Sequence, residues 1–135
     1  MQMTGTRASN ARVDALLRAR KLRRDNPLQI GRNSYMILDA LPVCINHSCA
    51  PNAGIRTTNT LVALRSIKKG EELTFDYSTV VGEVNEGWYM SCACGAPSCR
   101  KTIGAWTTLP PKRIRYYKQN NALPDFVLKE VLKKN

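Results

Sequence analysis

The sequence predicts a β-rich α+β domain, with short strands in the middle of the chain and helices at both ends. Three observations lead to this fold class. Residues 28–78 alternate short apolar or β-branched runs with turn residues, and the two flanking regions carry helical periodicity. A cluster of cysteines between positions 92 and 99 predicts a metal-stabilised loop. With 135 residues, the chain has the length of one compact domain.

A helix is predicted near the amino-terminal end of the chain. Ser9 or Asn10 supplies an N-cap, and the helix is expected to run to about Arg24 with a short apolar stripe formed by Val13, Leu16 and Leu17. Asp25-Asn26-Pro27 ends it, because the residue before a proline avoids the helical conformation.

Five short strands are predicted in the middle of the chain, over residues 28–30, 35–38, 55–57, 61–65 and 72–76. Asn59-Thr60 and Lys68-Lys69-Gly70 supply turn residues between the later strands. These strands are short and closely spaced, so they favour a compact β-rich core.

Two helices are predicted at the carboxy-terminal end. Pro110-Pro111 opens one that runs to about Lys118, and Pro124 fits the first turn of the other. The final helix is expected to carry Phe126, Leu128, Val131 and Leu132 on or near its buried face.

The formal charge of +11 is concentrated at the two ends of the chain. Residues 1–26 hold seven Lys/Arg against Asp14 and Asp25, and residues 110–135 hold seven against Asp125 and Glu130, a net of +5 in each case. The middle of the chain nets +1. Two interpretations stay open: solvated helix faces, or a contact surface for nucleic acid or another polyanion.

Nothing in the sequence predicts a membrane association. No apolar run approaches the roughly 20 residues that cross a bilayer. The first ten residues are polar and lack the apolar centre of a signal peptide. The expected compartment is therefore the cytoplasm, or the nucleus in a eukaryote.

The cysteines predict a metal site. Five is an odd number for a disulfide framework, and three of them lie in the spacing Cys92-x-Cys94-x4-Cys99. Thiolates at this spacing can surround one zinc ion, which prefers four ligands in a tetrahedron. The residues alone leave the fourth ligand open between Cys44, Cys49 and His47.

Several segments in a fixed order carry a family resemblance. Tyr-x-x-Leu-Asp-Ala at 35–40 is followed by Asn-His-Ser-Cys-Ala-Pro-Asn at 46–52, by Lys-Gly-Glu-Glu-Leu-Thr-Phe-Asp-Tyr at 69–77, and by the cysteine motif with Arg100. Together they resemble the SET-domain protein-lysine methyltransferases with a cysteine-rich post-SET zinc module. Residues 104–127 are similar to the ending of small bacterial members.

This resemblance implies a role for each matching residue. Cys49 joins Cys92, Cys94 and Cys99 on one structural zinc. Asn46 and His47 hold S-adenosylmethionine (AdoMet) at a knot-like crossing with the strand that contains residues 75–77. Tyr77 is the catalytic tyrosine, and Phe75 and Tyr35 line the lysine channel.

The resemblance also implies a function, with an alternative. The implied activity is AdoMet-dependent methyl transfer to a lysine of a protein substrate. The family's Gly-x-Gly cofactor turn has no match in residues 1–26, which hold only Gly5. The alternative is therefore a catalytically inactive, zinc-stabilised SET remnant that binds protein or nucleic acid.

The same mismatch shapes the expected organisation. Residues 1–26 are predicted as a basic helix-like extension, 27–90 as a SET-like core that is truncated at its amino end, and 91–135 as a post-SET-like zinc module with helices. Truncation exposes sheet edges, which proteins normally cover. The amino-terminal helix or a second copy of the chain, as a homodimer, is expected to cover them.

Overall fold

The protein is described by a computed structural model that covers residues 1–23 and 26–134. It contains nine short strands within these residues: β1 (Gly5–Ser9), β2 (Pro27–Gly31), β3 (Ser34–Leu38), β4 (Asn46–His47), β5 (Ala53–Arg56), β6 (Thr60–Ala63), β7 (Thr74–Phe75), β8 (Met90–Ser91) and β9 (Thr102–Ile103). The α-helices of the same residues are α1 (Asn10–Arg18), α2 (Pro111–Gln119) and α3 (Asp125–Lys134). Of the described helices, none combines the length and apolar character that a bilayer span requires.

The amino-terminal segment forms a strand that the sequence did not predict. β1 pairs antiparallel with β3 from Gly5 opposite Leu38 to Ser9 opposite Ser34, giving the sheet order β1-β3-β2. We expected the amino-terminal helix or a second copy of the chain to cover this edge of β3. The edge is covered by β1 instead. A glycine suits position 5, because a Cβ there would collide with the carbonyl oxygen of Ile37.

Helix α1 follows this strand directly. The Ser9 hydroxyl accepts a hydrogen bond from the backbone N–H of Arg12 at 3.3 Å, which confirms the predicted N-cap. The helix ends at Arg18, earlier than predicted, because Arg20 adopts a left-handed backbone with φ of 53°. Residues 24–25, at the predicted end, lie outside the described residues.

The five predicted strands are present with altered bounds. β5 and β6 form an antiparallel hairpin, and the left-handed Thr57, with φ of 56°, starts the turn between them. Gly70, with φ of 83°, adopts the turn conformation that the Lys-Lys-Gly motif predicted. The strand predicted over 72–76 is limited to β7.

β4 and β7 form a parallel pair in which Asn46 lies opposite Thr74 and His47 lies opposite Phe75. This pair is the crossing that the resemblance implied. It brings two segments that are distant in sequence to one place, and the candidate site is built around it.

Two apolar clusters form the core. The first lies among the strands and includes Met3, Leu28, Met36, Ile45, Ala53, Ile55, Leu61, Phe75 and Val80. The second joins the carboxy-terminal helices and includes Trp106, Leu109, Tyr117, Ala122, Leu123, Val127 and Val131. Leu132 is 52% exposed, so it lies near the buried face of the final helix and not on it; Val127, which was not predicted there, is buried on that face.

Candidate active site and cysteine cluster

A cavity of about 280 Å³ lies between α1, β2, β3 and the segment that follows β7. Tyr35, Phe75 and Tyr77 all line it, so the three residues assigned to channel and catalysis share one cavity. Its wall is otherwise largely apolar and includes Ile45 and Val80.

Tyr77 is held by both its hydroxyl and its ring. The hydroxyl donates a hydrogen bond to the carbonyl oxygen of Ile45 at 2.8 Å. The ring contacts Phe75, with 4.9 Å between centroids, and His47, with 5.4 Å between centroids. Because the hydroxyl proton of Tyr77 is directed at the Ile45 carbonyl, the Tyr77 oxygen can take part in a further hydrogen bond only as an acceptor.

Tyr35 is positioned by a chain of amide hydrogen bonds. Gln29 is 2% exposed, and its Oε1 accepts from the backbone N–H of Gly82 at 2.8 Å and from Asn85 Nδ2 at 3.0 Å. Asn85 Nδ2 also donates to the Tyr35 hydroxyl oxygen at 2.6 Å. Because the Gly82 donor is backbone, it fixes the orientation of both amides. Burial raises the pKa of Tyr35, so the phenol stays protonated at neutral pH.

Asn46 and His47 lie outside the cavity wall. Asn46 is exposed, and its amide donates to Glu72 Oε1 at 2.7 Å. His47 Nδ1 accepts from the backbone N–H of Tyr77 at 3.1 Å, and its Nε2 lies 3.3 Å from Cys49 Sγ. Burial lowers the pKa of His47, so the ring is neutral at neutral pH.

Cys49, Cys92 and Cys94 gather beside His47, and Cys99 joins them through Cys92. Cys49 Sγ lies 3.8 Å from Cys92 Sγ, and Cys92 Sγ lies 3.7 Å from Cys99 Sγ. Cys94 Sγ accepts from the backbone N–H of Cys49 at 3.4 Å. Cys44 stands apart, exposed, with its thiol bonded to a nearby backbone carbonyl.

The donor set of this cluster fits zinc. The ligand atoms of His47, Cys49, Cys92 and Cys94 all lie within 4.8 Å of one another, and sulfur and imidazole nitrogen are the ligands that zinc prefers. Burial raises the pKa of Cys92 to about 12. Burial acts in the same direction on Cys94, but hydrogen bonds outweigh it and lower the pKa of Cys94 to about 6. These bonds come from the backbone N–H groups of Cys49 and Ala96 and from the Cys92 and Cys99 thiols. Cys94 therefore ionises more readily than an ordinary cysteine, and a bound cation would favour ionisation of the other thiols of the cluster.

A buried carboxylate links the cysteine cluster to the tyrosine. Asp76 is 1% exposed and precedes Tyr77. Arg100, which follows the last clustered cysteine, donates to both of its oxygens, at 2.6 and 2.7 Å. Tyr117 of α2 donates to Asp76 Oδ2 at 3.0 Å, and burial and the carboxylate raise its pKa. This network therefore joins three parts of the chain.

Sequence reasoning assigned no role to Asp76, Arg100, Gln29 or Asn85. Asp76 lies in the motif of residues 69–77, and Arg100 directly follows the cysteine motif. Their places in these motifs could have marked both residues as part of the site. Gln29 and Asn85 had none, because their partners come from distant segments. A single polar residue in an apolar strand does not reveal what it will face.

Comparison with known proteins agrees with this geometry. Residues 14–78 match the SET domain family. This segment is therefore similar to a SET domain. The match begins inside α1 and ends just after Tyr77, so it includes three aromatic residues of the cavity wall, the β4–β7 crossing and Cys49. The cysteine cluster is consistent with a post-SET module that follows a SET domain.

The relatives are much longer proteins, and each of those named below matches less than half of this chain. This chain is 39% identical over 67 residues to the histone-lysine N-methyltransferase ash1 of Drosophila melanogaster, a match that covers 44% of this chain and 3% of ash1. It is 40% identical over 73 residues to the histone-lysine N-methyltransferase ASHH3 of Arabidopsis thaliana, which covers 49% of this chain and 19% of ASHH3. The chain thus spans under a fifth of the length of these relatives. The small bacterial type stays a prediction.

A solved structure shares the fold. The crystal structure of KRYPTONITE in complex with mCHG DNA and SAH matches 75% of this chain and 23% of its own, with a TM-score of 0.51 and 23% identity. The SET-like β-rich α+β fold predicted from the sequence is confirmed.

Proposed function

We propose that this chain is a protein-lysine N-methyltransferase, which transfers a methyl group from AdoMet to the side-chain amine of a lysine in a protein substrate. The observation that carries the proposal is the cavity where Tyr77, Phe75 and Tyr35 meet beside the β4–β7 crossing. The relatives that share the SET domain are histone-lysine methyltransferases by name, which supports the same reaction class.

The cavity suits a lysine side chain. Its volume of about 280 Å³ lies just below the roughly 300–1,000 Å³ of small-molecule pockets, and its wall is mostly apolar. An apolar wall favours the alkyl stem and disfavours the charged ammonium form. Methyl transfer needs the neutral amine, because its nitrogen lone pair forms the new carbon–nitrogen bond.

Tyr77 would orient that amine. Its hydroxyl proton is committed to the Ile45 carbonyl, so its oxygen can accept an amine N–H and leave the nitrogen lone pair for the methyl group. Phe75 and Tyr35 form the neighbouring walls. Bound AdoMet would supply an electrophilic methyl group on a sulfonium, and the electron pair of the broken carbon–sulfur bond stays on sulfur.

Asn46 and His47 are the proposed residues for AdoMet. They lie at the crossing, next to Tyr77 in space and outside the cavity wall, which leaves the cavity itself to the lysine. The exposed Asn46 amide offers both hydrogen-bond donors and an acceptor.

The cofactor assignment is tested by titration calorimetry with AdoMet. We expect one binding event in the wild-type protein and weaker binding in Asn46→Ala. Glu72→Ala is the matched control, because it removes the partner of the Asn46 amide and keeps the amide itself. Equal losses in the two variants would mean that Asn46 acts only through Glu72. Absence of binding at millimolar AdoMet would contradict the proposal.

The cysteine cluster is proposed to hold one structural zinc through Cys49, Cys92, Cys94 and Cys99. His47 is the competing ligand, and its hydrogen bonds argue against it. Its Nδ1 accepts from the Tyr77 N–H, so the proton of the neutral ring lies on Nε2, which faces Cys49 Sγ. A nitrogen that carries a proton cannot bind a metal, but it can donate to a metal-bound thiolate.

A further inference from the structure

A second depression lies beside the cavity and shares lining residues with it. Its volume is about 550 Å³, and Leu17 and Trp88 line both spaces. We call it the arginine groove, and its lining residues are Leu17, Arg20, Leu22, Arg23, Trp88, Tyr89 and Met90. A substrate segment whose lysine enters the cavity would have neighbouring residues close to this groove.

The two spaces differ in charge. Among the described residues, Asp14 is the only charged side chain on the cavity wall. The described lining of the groove holds Arg20 and Arg23 and no acidic residue. A ligand that complements the groove would therefore carry a negative group there.

Arg20 is held in place by its backbone. Its N–H donates to the Leu17 carbonyl at 3.0 Å, and the N–H of Lys21 donates to the Leu16 carbonyl at 2.9 Å. This pair of bonds, with φ of 53° at Arg20, is the Schellman ending of α1. A positive φ normally favours glycine, so an exposed arginine at this position strains the backbone. A functional role for its side chain would explain why an arginine stands there.

The groove also presents aromatic surface. Tyr89 is 57% exposed, and Trp88 is half-buried at the junction with the cavity. Arginine and aromatic residues are enriched at protein interfaces. A guanidinium group also binds a carboxylate through two parallel hydrogen bonds, which makes an acidic side chain its natural partner.

We infer that the arginine groove binds an acidic side chain that lies close in sequence to the target lysine of the substrate protein. This inference rests on the proposed function, because it is the lysine in the cavity that sets the position of the acidic residue. It also agrees with the net charge of +11, which repels a uniformly basic segment.

The test measures binding, so that it does not depend on methyl transfer. Three fluorescent peptides share one central lysine and differ only in its flanking residues, which are Glu, Gln or Lys. Fluorescence anisotropy at low salt should show the Glu peptide binding about two- to fivefold more tightly than the Gln peptide, and the Lys peptide most weakly. Added salt should reduce the difference.

Arg20→Gly is the informative variant. It removes the charge and suits the positive φ, so thermal stability should stay equal or rise while the preference for Glu becomes smaller. Arg12→Ala is the matched control, because it removes one positive charge from an exposed part of α1 outside the groove, and it should keep the preference.

Three results would overturn the inference: a Glu preference as large in Arg20→Gly as in the wild-type protein, an equal loss in Arg12→Ala, or no binding of any peptide at millimolar concentration. Methyl transfer to the same peptides is measured separately. A Glu preference that depends on Arg20 without any transfer would contradict the proposed activity and leave the groove as a peptide-binding site.

Discussion

Arg100 donates two hydrogen bonds, 2.6 and 2.7 Å long, to the buried carboxylate of Asp76, and so links the cysteine cluster to the residue before Tyr77. The backbone N–H of Arg100 also donates to Cys49 Sγ at 3.4 Å. Arg100 therefore connects the conformation of the cysteine cluster to the position of Tyr77.

Removing this side chain should destabilise the fold. Arg100→Ala leaves a carboxylate at 1% exposure without its charged partner, and the free energy of unfolding should fall by about 3 kcal/mol. Arg100→Lys keeps the charge and loses the two-bonded geometry, so its loss should be smaller. Urea denaturation checks both, with the exposed Lys112→Ala as control. A loss in Arg100→Ala no larger than that of the control would contradict the role of the pair.

The purified protein should contain one zinc ion per chain. Serine at position 49, 92, 94 or 99 should reduce the zinc content, and Cys44→Ser should leave it unchanged because Cys44 lies apart from the cluster. Structural zinc contributes on the order of 10 kcal/mol of folding free energy, so a chelator should unfold at least the carboxy-terminal third. Elemental analysis and circular dichroism measure the two effects. A zinc-free native protein, or loss of zinc in Cys44→Ser, would be incompatible with this assignment.

His47 should not be a zinc ligand. X-ray absorption of the zinc-loaded protein should show four sulfur atoms at about 2.3 Å and no imidazole nitrogen in the first coordination sphere. His47→Ala should retain zinc with reduced affinity, because the thiolate of Cys49 loses the hydrogen bond from Nε2. A first sphere of three sulfur atoms and one nitrogen would reverse the assignment and place the proton of His47 on Nδ1.

The lowered pKa of Glu71 predicts that the stability of the fold depends on pH. Arg65 first, and then the N–H of Lys68 and the amide of Asn52, hold the pKa of Glu71 at about 2, below its ordinary value of 4.5. The folded state thus favours the ionised form, and this stabilisation is present above pH 4.5 and lost as the pH falls towards 2.

The stability difference between the wild-type protein and Glu71→Gln should accordingly be largest at neutral pH and close as the pH drops through this window. Denaturation midpoints over that range measure it. Glu86→Gln is the control, because Glu86 is exposed and its ion-pair distance is 3.9 Å. A difference that stays constant down to pH 2 would show that the charge of Glu71 has no part in it.

Tyr77→Phe should separate turnover from stability. Without the hydroxyl, the amine is no longer oriented, and turnover should fall on the order of 100-fold. The lost bond to the Ile45 carbonyl should lower the free energy of unfolding by only about 1 kcal/mol. Tyr116→Phe, on the exposed face of α2, is the control for both measurements. Unchanged turnover in Tyr77→Phe would remove Tyr77 from the catalytic site.

Features with local signals were predictable from the sequence. Ser9 could be identified as a cap and Gly70 as a turn residue, because each acts on its immediate neighbours. The cysteines could be assigned to a metal site since their spacing already limits the geometry. β1 could not be predicted, because its polar residues become a strand only through pairing with β3. Gln29 and Asn85 escaped for the same reason, since their role depends on partners more than fifty residues away.

The central claim is methyl transfer, and one measurement tests it most directly. The protein is incubated with AdoMet that carries a labelled methyl group and with a mixed pool of acidic and basic proteins, and the labelled residues are identified by mass spectrometry. We predict label on lysine side chains with the wild-type protein and loss of most of it with Tyr77→Phe. No transfer to any protein, together with no AdoMet binding at millimolar concentration, would contradict the claim and leave an inactive SET domain that binds a partner.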